Sequence, residues 1–350
     1  MHRLHLVAAL LLVLLLAGCQ AAGPTAPAPP APGAPAAVPG AQPTPDAAAA
    51  RLPRPAADVA MPEHLIVSSV AFWDEQHGLL AGTAECPGTC QPMLARTADG
   101  GKSWRLLARG GASVRTLSVT GSADVWADAG DCSNGCRGWL LASHDGGATW
   151  AEVAGDGAEP SFVAGGTGWA LGLTGANLRA THDGGHTWTA LEQPCTGQPY
   201  DARALSFPTA AKGWLLCSGQ PGAGSQAKAV YATTDGGKSW TTAVEVPFTG
   251  GVVNGLPRGG YAGGIFFRPD GHGWLWMARG GFFASADGGR NWEGLLLARP
   301  ESAEVRSAWF LSDTLGWVVR QNMEQGRWEL LQTRDGGQSG TLLQSWALPK

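Results

Sequence analysis

From residue 63 onward, hydrophobic alternation comes in regular packets. An apolar triplet is followed about seven residues later by Trp or Leu, usually after Gly. The pairs are Phe72/Leu79, Val119/Trp126, Val163/Trp169, Phe207/Trp214, Phe267/Trp274 and Phe310/Trp317. Alternating apolar positions punctuated by Gly, Pro and Asp predict a strand, a short turn and a second strand. A third strand runs into a fixed octapeptide, as at Val230 to Thr233, and a fourth leaves it, as at Trp240 to Val244.

The octapeptide recurs with Asp99 and Trp104, Asp145 and Trp150, Asp183 and Trp188, Asp235 and Trp240, and Asp287 and Trp292. A sixth copy carries Asp335 but has Gly340 in place of the Trp. The aspartates lie 46, 38, 52, 52 and 48 residues apart. Four antiparallel strands repeating at that period predict an all-β chain, a β-propeller of six four-stranded blades over 63–350. The long segment 245–264 leaves room for a seventh. Asp-Gly-Gly predicts a hairpin turn, with Gly supplying positive φ and the carboxylate accepting loop N–H groups. These residues are therefore expected to be structural.

Before the repeats the pattern changes. One arginine precedes an unbroken apolar run, Leu6 to Leu16, too short to span a bilayer and suited to a signal peptide. It ends in Leu16, Ala17, Gly18 and Cys19, which resembles the bacterial lipoprotein lipobox. The resemblance implies cleavage after residue 18, lipid on Cys19, and a membrane-anchored protein of the bacterial cell envelope on the extracytoplasmic side. Residues 19–62 form the expected tether. Residues 20–62 hold 12 of the 24 prolines, and Asp46 is the only charge between Gln20 and Ala50. Such a composition favours extended, unpacked chain.

The octapeptides resemble the Asp-box, or bacterial neuraminidase repeat. The longer unit is most similar to the photosystem II assembly and stability factor family, and the resemblance covers essentially all of 63–350. It implies a binding or assembly scaffold for envelope or membrane proteins rather than an enzyme. The alternative is a glycan-binding protein or a sialidase-like glycoside hydrolase, since Asp-boxes also occur in sialidases. Against hydrolysis, the sialidase Arg-Ile-Pro signature is missing; the nearest sequence, Arg51 to Pro53, lies in the tether. Of the three tyrosines, Tyr231 sits beside its box, while Tyr200 and Tyr261 precede first strands.

A net charge of −4 and a pI of about 6.1 argue against a nucleic-acid partner. The second-to-third loops vary in length while the first-to-second turns do not, which places the working face on the variable side. Four residues before each triplet's last member stand Ser68, Arg115, Glu159, Arg203, Gly263 and Arg306. Arg115, Arg203 and Arg306 are thus candidates to converge at the channel mouth on one anionic group, for which Arg is suited. The alternative is three solvated arginines paired with neighbours such as Asp201 or Glu304. Six cysteines remain after Cys19, and their placement suggests Cys86–Cys90, Cys132–Cys136 and Cys195–Cys217 as disulfides, permitted by export. A zinc site from the two C-x₃-C pairs is the rival. No cofactor or metal is expected.

Overall fold

In the computed structural model the described residues are 51–54, 59–84, 91–121, 123–131, 137–153, 157–172, 177–195, 200–298 and 303–348. The proposed signal peptide, Cys19 and both C-x₃-C pairs lie outside them. The described elements are strands, and they form six four-stranded antiparallel sheets. Blade 1 runs from Leu65–Phe72 through Gly78–Ala84 and Gln91–Thr97 to Arg105–Arg109. The first strands of the others are Ser113–Thr120, Gly157–Phe162, Tyr200–Ser206, Tyr261–Phe267 and Ala303–Phe310. These six strands neighbour one another in a closed cycle. The segment that left room for a seventh blade holds only a hairpin, Val252–Val253 against Leu256–Pro257.

The Gly-Trp signature is explained at the seams between blades. In five blades the second-strand Trp stacks on a Phe at the end of the next blade's first strand, or just past it for Phe207: Trp126 on Phe162, Trp169 on Phe207, Trp214 on Phe267, Trp274 on Phe310 and Trp317 on Phe72. Their ring centroids lie 3.7 to 4.1 Å apart. Each of these indoles also donates to a glycine carbonyl in the next blade's box, at Gly184, Gly236, Gly288, Gly336 and Gly100. Four of these five Trp residues follow a glycine, needed because its own blade's Phe lies over it; a Cβ at Gly273 would sit 2.2 Å from the Phe267 ring, whereas Trp126 follows Val125 in a blade without that Phe. In blade 3 the ring is Phe162, one residue before the Val163 that the sequence pattern marks.

All six boxes share one hydrogen-bond scheme. In blade 1, Thr97 Oγ1 accepts from Gly101 N (2.9 Å) and donates to Asp99 (2.9 Å); Asp99 also takes the Ser103 amide (2.9 Å) and hydroxyl (2.6 Å). The sixth box keeps the scheme through Thr333, Asp335 and Ser339. Its missing Trp is replaced from outside: Leu297 N donates to Gly337 O, as Trp104 Nε1 does to Gly101 O, and Leu297 lies where a Cβ on Gly340 would go. Four of the box Trp residues pack edge-on to their own blade's Phe. The flat inter-blade stacking falls instead to the second-strand Trp.

Candidate functional site

Each first strand contains a register shift. The shifts bracket Ser68, Arg115, Glu159 with Pro160, Arg203, Gly263 and Arg306. A bulge inserts a residue without a partner, bends the strand and re-aims a side chain. The six positions marked in the sequence are therefore six bulges. All six line one cavity of about 870 Å³ enclosed by the first strands. Serines close its wall by accepting the edge N–H groups of the following blade, as Ser118 does from Phe162, Ser161 from Phe207 and Ser206 from Phe267 (2.8 to 2.9 Å). A lone edge strand would leave those groups to solvent.

The three candidate arginines all line the cavity, but they are not equivalent. Arg115 is bound bidentately by Asp128 of its own blade, at 2.6 and 2.9 Å, with Asp128 buried. Burial pushes the Asp128 carboxyl up, and Arg115 offsets part of that. Arg203 gives its Nε to Ala262 O at 3.1 Å. Arg306 is exposed and, among the described residues, makes no side-chain hydrogen bond or ion pair. Among the described residues neither Asp201 nor Glu304 forms an ion pair with any of the three. The expected convergence thus reduces to Arg306, Arg203 with its Nε tied to a backbone carbonyl and its terminal nitrogens left over, and one arginine held by its own blade's carboxylate.

Glu159 stands at the bulge of blade 3 with φ +52°. A non-glycine residue there is strained. The Thr116 hydroxyl donates to it at 3.3 Å. Burial raises its pKa, Asp128 raises it further, and Arg203 and Arg306 pull the other way. The mouth therefore holds an acid that releases its proton reluctantly, within electrostatic reach of two cationic side chains.

Arg203 is positioned from behind. The peptide whose carbonyl it meets has its N–H neighbour fixed as well: Ala262 N donates to Gln226 Oε1 at 2.7 Å. Gln226 in turn gives its carbonyl to Lys228 Nζ (2.9 Å), which also donates to the carbonyls of Pro257 (3.0 Å) and Arg258 (2.9 Å). Lys228 is fully buried, and burial lowers its pKa to about 8. This lysine sews the Val252–Pro257 hairpin onto blade 4. Nearby, Cys195 and Cys217 are disulfide-bonded with Cα atoms 5.6 Å apart, as expected, tying the connection between blades 3 and 4 to blade 4.

Two hydrolase features fall elsewhere. Tyr200 donates to Glu245 at 3.0 Å, a tyrosine–glutamate pair, but neither residue lines the cavity. Burial and Glu245 raise the Tyr200 pKa, the wrong direction for a nucleophile. Arg51 lies on the outer wall, paired with Glu152 at 2.7 Å. The cavity lining thus presents the Arg203 and Arg306 guanidiniums together with the Glu159 carboxyl.

No family model matches the chain, and no curated protein matches it. Several solved structures are similar. A GH74 xyloglucanase from Xanthomonas campestris is 14% identical with a TM-score of 0.53, the match covering 81% of this chain and 46% of that one. A Hadza microbial sialidase is 14% identical with a TM-score of 0.50, covering 82% and 66%. A structure described as "YCF48 bound to D1 peptide" is 19% identical with a TM-score of 0.49, covering 83% and 87%. At these identities the likeness is one of fold, and the fold shared is the β-propeller.

Proposed function

We propose that this is a non-enzymatic binding propeller, lipid-anchored through Cys19 on the extracytoplasmic side of a bacterial membrane. Its cavity mouth takes an anionic, carboxylate-bearing segment of an envelope or membrane protein, in the service of that protein's assembly. The observation that carries the binding reading is the pair Arg203 and Arg306, directed into a cavity with guanidinium donors to spare. Guanidinium forks match carboxylates bidentately, and the surrounding rigid ring holds them in place. The assembly role rests on the resemblance of the repeated unit to photosystem II assembly factors, and the anchor on the lipobox.

The test is cross-linked recovery of partners from the native envelope. Wild type is compared with Arg203→Ala/Arg306→Ala, after both are shown to melt alike. A membrane protein recovered by the first and lost by the second supports the reading. Identical partner lists overturn it.

A second reading has one observation in its favour: Asp128 and the high-pKa Glu159 face the same cavity, and glycoside hydrolysis uses two carboxyl groups. Asp128 is already committed to Arg115, which makes it a poor base. Release of reducing sugar from β-glucan or sialoside by wild type and not by Glu159→Gln would favour this reading over the first.

A further inference from the structure

One seam lacks the Trp–Phe stack. Between blades 1 and 2 the corresponding residues are Leu79 and Val119. At this seam the chain docks a piece of the segment that its composition assigns to the tether. Leu52 is 5% exposed and packs in the cluster that contains Leu79, Leu107, Val114 and Leu141. On one side of it, the Arg51 guanidinium lies 3.8 Å from the centre of the Trp139 ring and pairs with Glu152 at 2.7 Å. On the other, Arg54 donates to Ala148 O at 3.3 Å. The backbone is read as well: Ala112 N donates to Arg51 O (2.7 Å) and Arg109 N to Pro53 O (3.0 Å). Gly111 makes room for it, since a Cβ there would lie 2.1 Å from Arg51 O.

We propose that the groove between blades 1 and 2 is a peptide-binding site, distinct from the cavity, whose resident ligand is the chain's own Arg51–Arg54 segment. The site has the parts of a peptide groove. Two backbone amides fix the register, an apolar pocket takes one leucine, and an aromatic face with a carboxylate takes the preceding arginine. It selects a short segment that reads basic residue, leucine, proline. The docked segment runs from the blade 1–2 connection at Ala112 toward the box turn at Ala148. Arg51 itself thus lies on the connection side, the side of the arginine bulges.

The full-length protein tests this by amide hydrogen exchange at Arg109 and Ala112, with Leu216 in blade 4 as the control for an intact fold. In wild type the two amides are expected to exchange at least about tenfold more slowly than in Leu52→Asp, while Leu216 is unchanged. A synthetic peptide of residues 46–56, added in millimolar excess to the Leu52→Asp protein, restores the protection, and the same peptide with Arg51→Ala does not. Equal exchange in wild type and Leu52→Asp overturns the docking. Loss of protection that the native peptide fails to restore overturns the groove as a binding site.

Discussion

The Trp317 indole of the last blade lies flat on the Phe72 ring of the first, centroids 3.8 Å apart, and donates to Gly100 O at 2.9 Å. This contact closes the ring with the same device that joins four other seams. Trp317 is fully buried, so Trp317→Ala is expected to cost about 3–5 kcal/mol in chemical denaturation. Trp317→Phe keeps a stacked ring and loses the hydrogen bond. It is expected to cost less, with the unpaired carbonyl contributing about 1–3 kcal/mol of it.

The arginines are expected to separate by experiment. Arg115→Ala strands a buried carboxylate, Asp128, and should lower stability by about 1–3 kcal/mol. Arg306→Ala, which removes an exposed side chain, should leave the melting temperature within a degree or two while weakening anion binding. Thermal melts paired with sulfate titration of each variant check both halves. Equal melting of the two variants would show that the Arg115–Asp128 pair does not support the fold.

Glu159 sets the pH dependence of the mouth. Its folded pKa is raised, so it takes up a proton at a higher pH than an ordinary glutamate, facing Asp128, Arg203, Arg306 and Thr116. Protonation removes a negative charge within electrostatic reach of two arginines. Sulfate, whose charge is constant in this range, is therefore expected to bind more tightly as pH falls toward 4.5. Glu159→Gln should bind as the protonated form does and flatten the profile. A wild-type profile already flat from pH 8 to 5 would count against this role.

The boxes give the opposite sign. The Ser339 hydroxyl and amide hold the Asp335 carboxyl at about 2, below its ordinary 3.8. In Asp183 the hydrogen bonds from Thr187 and Thr181 outweigh burial and hold it at about 2 as well. Carboxylates with depressed folded pKa values contribute stability that is present above about 4 and lost as pH falls through about 2. The melting temperature should fall through that window, and Asp335→Asn should melt lower at pH 7 and show a shallower acid decline.

Much of this was legible in the sequence because it repeats. The Asp-Gly-Gly turns fix the blade count, and Arg115, Arg203 and Arg306 share one offset from the apolar triplets. What the offset did not disclose is that the position is a bulge, since bulges leave no mark on hydrophobic alternation. The Arg115–Asp128 pair also escaped, because the partner sits on the neighbouring strand 13 residues away in a pattern that does not repeat. Glu159 was visible at the shared position, but its raised pKa arises from burial and from Asp128, against the pull of Arg203 and Arg306, and these groups meet only in the folded ring. Leu297 replaces a box Trp from another blade's connection, and Leu52 is hidden among prolines and alanines; neither has a local signature.

The most direct test places a photo-crosslinking residue at Gln220, exposed on the cavity lining, and at Lys238, exposed in a box turn. Both full-length proteins are irradiated in the native envelope and the adducts are sequenced. An adduct is expected at position 220 to an acidic segment of an envelope or membrane protein, lost with Arg203→Ala/Arg306→Ala, and none of that identity at 238. The same partner captured at 238 and not at 220 would contradict it.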